Sequence, residues 1–121
     1  MMSMSYQLDK ANSVVEVRID RPLPVEEQQK ILPKIVSAAT DNGFSKWLII
    51  VSTTEMQDTN QARRFTEFVL DHLKLYIGRL AVVCDPSMRS RVDEVVAPIT
   101  NQEKPVGIFS SEEEARAWLT A

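Results

Sequence analysis

The residues best placed for chemistry follow a buried strand. Residues 46–52 read KWLIIVS, and the polar run TTEMQDTNQ comes next. In an open α/β sheet, ligands and switches gather just past the C-terminal end of such a strand. Thr53 and Thr54 would line that rim. Asp58 and Gln61 have the spacing of a helix cap and its third residue, a capping-box-like start. Backbone N–H groups left free at a helix start attract negative groups. Asp58, Thr59 and Asn60 are therefore the candidate contacts for a partner or an anion, and Thr59 is the hydroxyl open to modification. The plainer reading of the same residues is an N-cap with no ligand.

Other reactive side chains lack the company that chemistry requires. His72 falls on the inward face of its helix, with no Ser, Cys or metal ligand assigned to it, and reads as a packed residue. Cys84 ends an apolar strand, and a nucleophile needs a base that the sequence does not place beside it. The three glycines, Gly43, Gly78 and Gly107, sit apart, so no glycine-rich phosphate loop is formed. Arg89 and Arg91 flank Ser90 and, with Arg63 and Arg64, offer a basic patch or simply a solvated helix face. Glu112, Glu113 and Glu114 suit the start of a helix, where negative charge is favoured, and need no metal. Trp47 and Trp118 read as core at the ends of elements. No catalytic residue, metal site or cofactor is expected.

Composition narrows the classes further. The 121 residues fit one domain, 1–121, with 44% hydrophobic and 26% charged residues. Fourteen basic residues against 17 acidic ones leave a net charge of −3, which gives no footing for nucleic-acid binding. A lone cysteine excludes an internal disulfide framework and suits a reducing cytoplasm. The apolar runs WLIIV and LAVVC are far short of the roughly 20 residues of a membrane helix. The first residues lack the basic and apolar regions of a secretory signal. The expectation is a cytoplasmic protein that does not span a membrane.

The elements that hold these residues follow in order. Residues 5–8 and 14–19 form a β-hairpin; in VVEVRI, Val15, Val17 and Ile19 face one side and Val14, Glu16 and Arg18 the wetter other. Pro24 opens a helix with Glu26 and Glu27 in its first turn, an apolar face of Ile31, Leu32, Ile35, Val36 and Ala39, and Gly43 as its left-handed cap. Pro33 inside it predicts a kink. After the strand at 46–52, a helix from Asp58 buries Phe65, Phe68, Val69, His72, Leu73 and Tyr76 and stops at Gly78. Residues 79–84 are the next strand, and Asp85-Pro86 caps a helix with Met88, Val92, Val95, Val96 and Ile99 inward. Residues 105–109 form the last strand. Ser110 and Glu113 cap a closing helix with Ala115, Trp118 and Leu119 inside. The string β-β-α-β-α-β-α-β-α predicts an α/β fold with a mainly parallel sheet after an N-terminal hairpin.

This pattern resembles the STAS domains, and in particular the SpoIIAA-like group of small bacterial proteins. The likeness rests on LPKIV with Pro33 in the first helix, on the element order over nearly the whole chain, and on FSSEEEARAWL from Phe109 to Leu119. It implies a non-enzymatic regulatory or protein-binding domain, akin to anti-sigma-factor antagonists. Those carry a phosphorylated serine in a motif like Asp-Ser-Ser-Gly. Here the segment is Asp58-Thr59-Asn60-Gln61, with Asn60 in the place of the phosphoserine and Gln61 in that of the glycine. The usual switch is therefore missing its acceptor. Distant relatives of the fold carry lipids, which raises a second reading: a carrier of a small apolar ligand near Phe65, Phe68, Met88 and Trp118. A partner protein of unknown identity is the first expectation. A homodimer through the hairpin edge or a helix face is another.

Overall fold

A computed structural model describes residues 4–20, 25–52, 78–100 and 105–121. Five strands form one sheet in the order β1-β2-β3-β4-β5. They are β1 (Met4–Asp9), β2 (Val14–Ile19), β3 (Lys46–Val51), β4 (Arg79–Val83) and β5 (Val106–Phe109). β1 and β2 pair antiparallel, and each later neighbour is parallel. Helix α1 (Val25–Asn42) precedes β3. A 3-10 turn, Pro86–Met88, leads into α2 (Arg89–Thr100), and α3 (Glu112–Thr120) closes the chain. The helix expected from Asp58 lies outside the described residues, as does Pro24.

The hairpin turn is set by side chains. Both Asp9 carboxylate oxygens are used: Oδ1 accepts from the Asn12 backbone N–H at 3.2 Å and Oδ2 from its amide at 2.9 Å. Ser13 then takes φ 58°, the left-handed region that returns the chain to β2. Helix α1 runs through Pro33, which is exposed, so water can serve a carbonyl that the missing N–H leaves open. At its end Gly43 has φ 67°. Gly43 N–H donates to the Thr40 carbonyl and Phe44 N–H to that of Ala39, which is the Schellman arrangement.

Period-two alternation divides the buried residues between the two sheet faces. On one face Val15, Val17, Trp47, Leu80 and Val82 meet Ile35 and Ala39 of α1 and Val92 and Val96 of α2. On the other, Val14, Leu48, Ile50, Ala81 and Val83 meet Ala115 and Leu119 of α3. Apolar groups thus cover both faces of β3 and β4, which accounts for their unbroken apolar sequences. Two boundaries differ from the sequence reading. The cap of α3 is Ser111, whose hydroxyl accepts from Glu114 N–H at 3.4 Å, one residue later than Ser110. β4 stops at Val83, although Cys84 still donates its N–H to the Phe109 carbonyl.

Candidate functional site

Parallel pairing brings the C-terminal ends of β2 to β5 to one edge. Ile19 pairs with Val51, Ile50 with Val83, and Val83 with Phe109. Ser52 N–H extends the ladder to the Ile19 carbonyl at 2.8 Å. Asp20, Ser52, Asp85 and Ser110 are exposed along this edge. Thr53, Thr54, Asp58, Thr59 and Asn60, the candidate contacts, lie outside the described residues; so do Arg63, Arg64, Phe65, Phe68 and His72. The described part of the rim is the edge from which that segment departs.

Beside it, Asp85 acts as the expected cap. Its Oδ1 accepts from Ser87 N–H at 2.9 Å and from the Ser87 hydroxyl at 2.7 Å. These two bonds hold its carboxyl below the usual aspartate range. Cys84 is buried, and that burial pushes its thiol pKa up, against thiolate formation. Arg89 and Arg91 are exposed on either side of Ser90 at the start of α2.

Among the described residues, the most heavily bonded buried carboxylate, Glu16, lies beneath α3, and the sequence reading placed it only on a wetter face. Glu16 is 1% exposed. Its Oε2 accepts from Arg116 Nη2 at 2.7 Å and from Gln7 Nε2 at 3.0 Å, and its Oε1 accepts from Arg18 Nη2 at 2.9 Å. Glu112 Oε1 receives both arginines, Arg116 Nη2 at 3.0 Å and Arg18 Nη2 at 3.1 Å. Asp9 stands 3.7 Å from Arg116 Nη1. Burial alone would raise the Glu16 pKa. The bonds from Arg116 and Gln7 and the charges of Arg116 and Arg18 outweigh it and hold the carboxyl below its usual value. The Glu16 bond in turn raises the pKa of Arg116, against the effect of burial.

Chemically this cluster is a clamp. Glu16 is desolvated, and three donors bind its two oxygens, as a buried carboxylate requires. It ties β1, β2 and the first turns of α3 together. At the far end of α3, Arg79 Nη1 donates to the Trp118 carbonyl at 2.8 Å, and its guanidinium lies 5.5 Å from the Trp118 ring centroid. A cation at a helix C-terminus is favourable there. Asp9, Asn12, Val14, Arg116, Ala117 and Thr120 line a hollow of about 130 Å³ alongside. Two charged residues out of keeping with their local sequence could have been noticed: Glu16 inside VVEVRI, and Arg116 as the lone base after three glutamates. Nothing local joins them.

The apolar-ligand reading needs a correction. Met88 is buried with α1 and α2 on one sheet face, whereas Trp118 packs with α3 on the other. The sheet separates them, so they cannot line one pocket. Trp118 is only half-buried, against Phe109 at 5.7 Å between ring centroids.

A hairpin continued by parallel βα units, with a closing helix on the opposite face, defines an α/β domain of the STAS type. A family model, SpoIIAA-like, matches residues 14–120, and the chain belongs to that family. Among curated proteins there is no significant match. Among the described residues, no helix is long and apolar enough to cross a membrane.

Proposed function

We propose that this protein is a non-enzymatic regulatory domain that binds a partner protein through the rim following β3. Thr53, Thr54, Asp58, Thr59 and Asn60 are the contact residues of this reading. The observation that carries it is membership of the SpoIIAA-like family, whose STAS-type domains commonly bind proteins. The position of β3 supports it: it is the middle strand of the sheet, and its C-terminal end emerges among exposed polar residues. Asn60 in place of a phosphorylatable serine argues for docking that does not need a kinase at that position.

Thr59 is the acceptor we assign to any modification of this rim. A phosphate there would add a charge of about −1.5 to −2. Labelled phosphate incorporation in cell extract separates the cases: incorporation lost in Thr59→Ala supports the assignment, and equal labelling of Thr59→Ala and wild type removes it. Docking itself is tested by quantitative capture from the host lysate. Wild type and Arg91→Glu should retain the same proteins, and Asp58→Lys/Asn60→Lys should lose them. Identical capture by all three would overturn the rim as the docking surface.

A further inference from the structure

β1 is the outermost strand of the sheet, and among the described residues its only strand partner is β2. Natural edge strands are guarded by lysine, proline, a bulge or short length. From Met4 to Leu8 this one has no such guard. Its sequence there is Met-Ser-Tyr-Gln-Leu, without charge or proline. It pairs with β2 in unbroken register from Met4↔Ile19 to Asp9↔Val14, so no bulge turns the edge away. Tyr6, at the centre of this stretch, is the exposed large hydrophobic residue of the described chain, at 38%.

The stretch is also complementary to itself. Met4 and Leu8 belong to the core on the α1 side, and Tyr6 shares their parity; Ser5 and Gln7 point to the other face. Consider a two-fold axis normal to the sheet and passing beside Tyr6. It keeps each face on its own side and pairs the strands antiparallel. Tyr6 then meets Tyr6 of the second copy, Met4 meets Leu8, and Ser5 meets Gln7. Apolar residues oppose apolar ones, polar oppose polar, and no like charges face each other. Such cross-strand pairs, aromatic ones included, are what stabilises a sheet. The interface is isologous, as a closed dimer requires.

We propose that β1 pairs antiparallel with β1 of a second copy of this chain, centred on Tyr6, and joins two five-stranded sheets into one. The occupant is a second copy because a single register satisfies every pair from Met4 to Leu8 at once. The pairing uses the long outer edge of β1, although Met4 lies beside Ile19 at the rim end of β2; self-association and lysate capture are read separately, so the two proposals stand or fall separately.

Sedimentation velocity across a micromolar concentration series, together with cysteine crosslinking, tests the proposal. Wild type should sediment as a dimer. Tyr6→Lys sets two ammonium groups opposite each other and should weaken association by about tenfold or more, with an unchanged far-ultraviolet spectrum. Tyr6→Cys should form an interchain disulfide under mild oxidation, whereas Ser5→Cys, which faces Gln7, should not; the buried Cys84 does not compete. A wild-type monomer throughout the series would overturn the proposal. So would a dimer that survives Tyr6→Lys and fails to crosslink through position 6.

Discussion

Arg116 and Glu16 stand 100 positions apart in the chain, and Arg116 Nη2 lies 2.7 Å from Glu16 Oε2. This contact joins the closing helix to the second strand. Around it, Arg18, Gln7 and Glu112 complete a cluster in which a carboxylate at 1% exposure is fully bonded. A buried ion pair adds little over a well-packed apolar pair, yet breaking one side strands the other.

Arg116→Met is accordingly expected to cost about 1 to 3 kcal/mol, less than a fully buried pair, because about a third of the Arg116 side chain meets solvent and Arg18 and Gln7 still serve Glu16. Glu16→Ala should be of similar cost. The double variant should lose less than the two single losses combined, since the pair acts as a unit. Urea unfolding of the four proteins measures this coupling. Strict additivity would show that the contact contributes nothing of its own.

Acid should act through the same group. The folded-state pKa of Glu16 lies below its ordinary value of 4.5. A depressed carboxylate contributes stability that is complete above the unfolded value and is lost as pH falls through the folded one. Asp9 is depressed by its Asn12 bonds and Asp85 by its Ser87 bonds, with the same sign. Stability should therefore decline below about pH 4.5 and change little from there to neutrality. Glu16→Gln should flatten that acid limb. A thermal-melt series in pH reads both slopes, and an unaltered limb in Glu16→Gln would assign the acid loss to other groups.

Gly107 is required by Phe109. A Cβ on residue 107 would fall 2.6 Å from Phe109 Cε2 and 3.6 Å from Trp118 Cδ2, and the two rings already pack with their centroids 5.7 Å apart. Gly107→Ala should displace the ring and cost about 1 to 3 kcal/mol, as overpacking does. The tryptophan bands of the near-ultraviolet spectrum should change. Adding Phe109→Leu should restore part of the loss, and no change in spectrum or stability would mean the ring moves freely.

The hairpin turn carries a further test. Ser13 is the non-glycine residue with positive φ among those described. A β-branched residue is disfavoured in that region, where even ordinary L-residues cost about 1 to 2 kcal/mol. Ser13→Val should lower the melting temperature and Ser13→Gly should hold or raise it. Equal melting temperatures for the two would show that the turn relaxes.

Much of the fold was legible because it is local. Val15, Val17 and Ile19 alternate with Val14, Glu16 and Arg18, Gly43 terminates a periodic face, and Asp85-Pro86 is a self-contained cap. Three features were not legible. SSEEE fits a cap at Ser110 or at Ser111 equally well, and only the backbone of Ser111, extended at φ −126° and ψ 131°, decides between them. Among the described residues α3 connects to no later strand, so the crossover rule does not choose its face; the structure sets Trp118 opposite Met88. Glu16 is buried because Arg116 returns to it, and no strand pattern encodes a partner 100 positions away. Of the candidate site, the strand end at Ser52 was legible in the apolar run before it, and the contact residues from Thr53 to Asn60 are a reading of motif and family.

The most direct test of the docking proposal is hydrogen–deuterium exchange on the protein with and without a purified partner obtained by capture. Peptides covering residues 53–60 should gain protection on binding, and those covering α1 should not. Protection confined to β1 or α3, with residues 53–60 exchanging as in the free protein, would contradict the account.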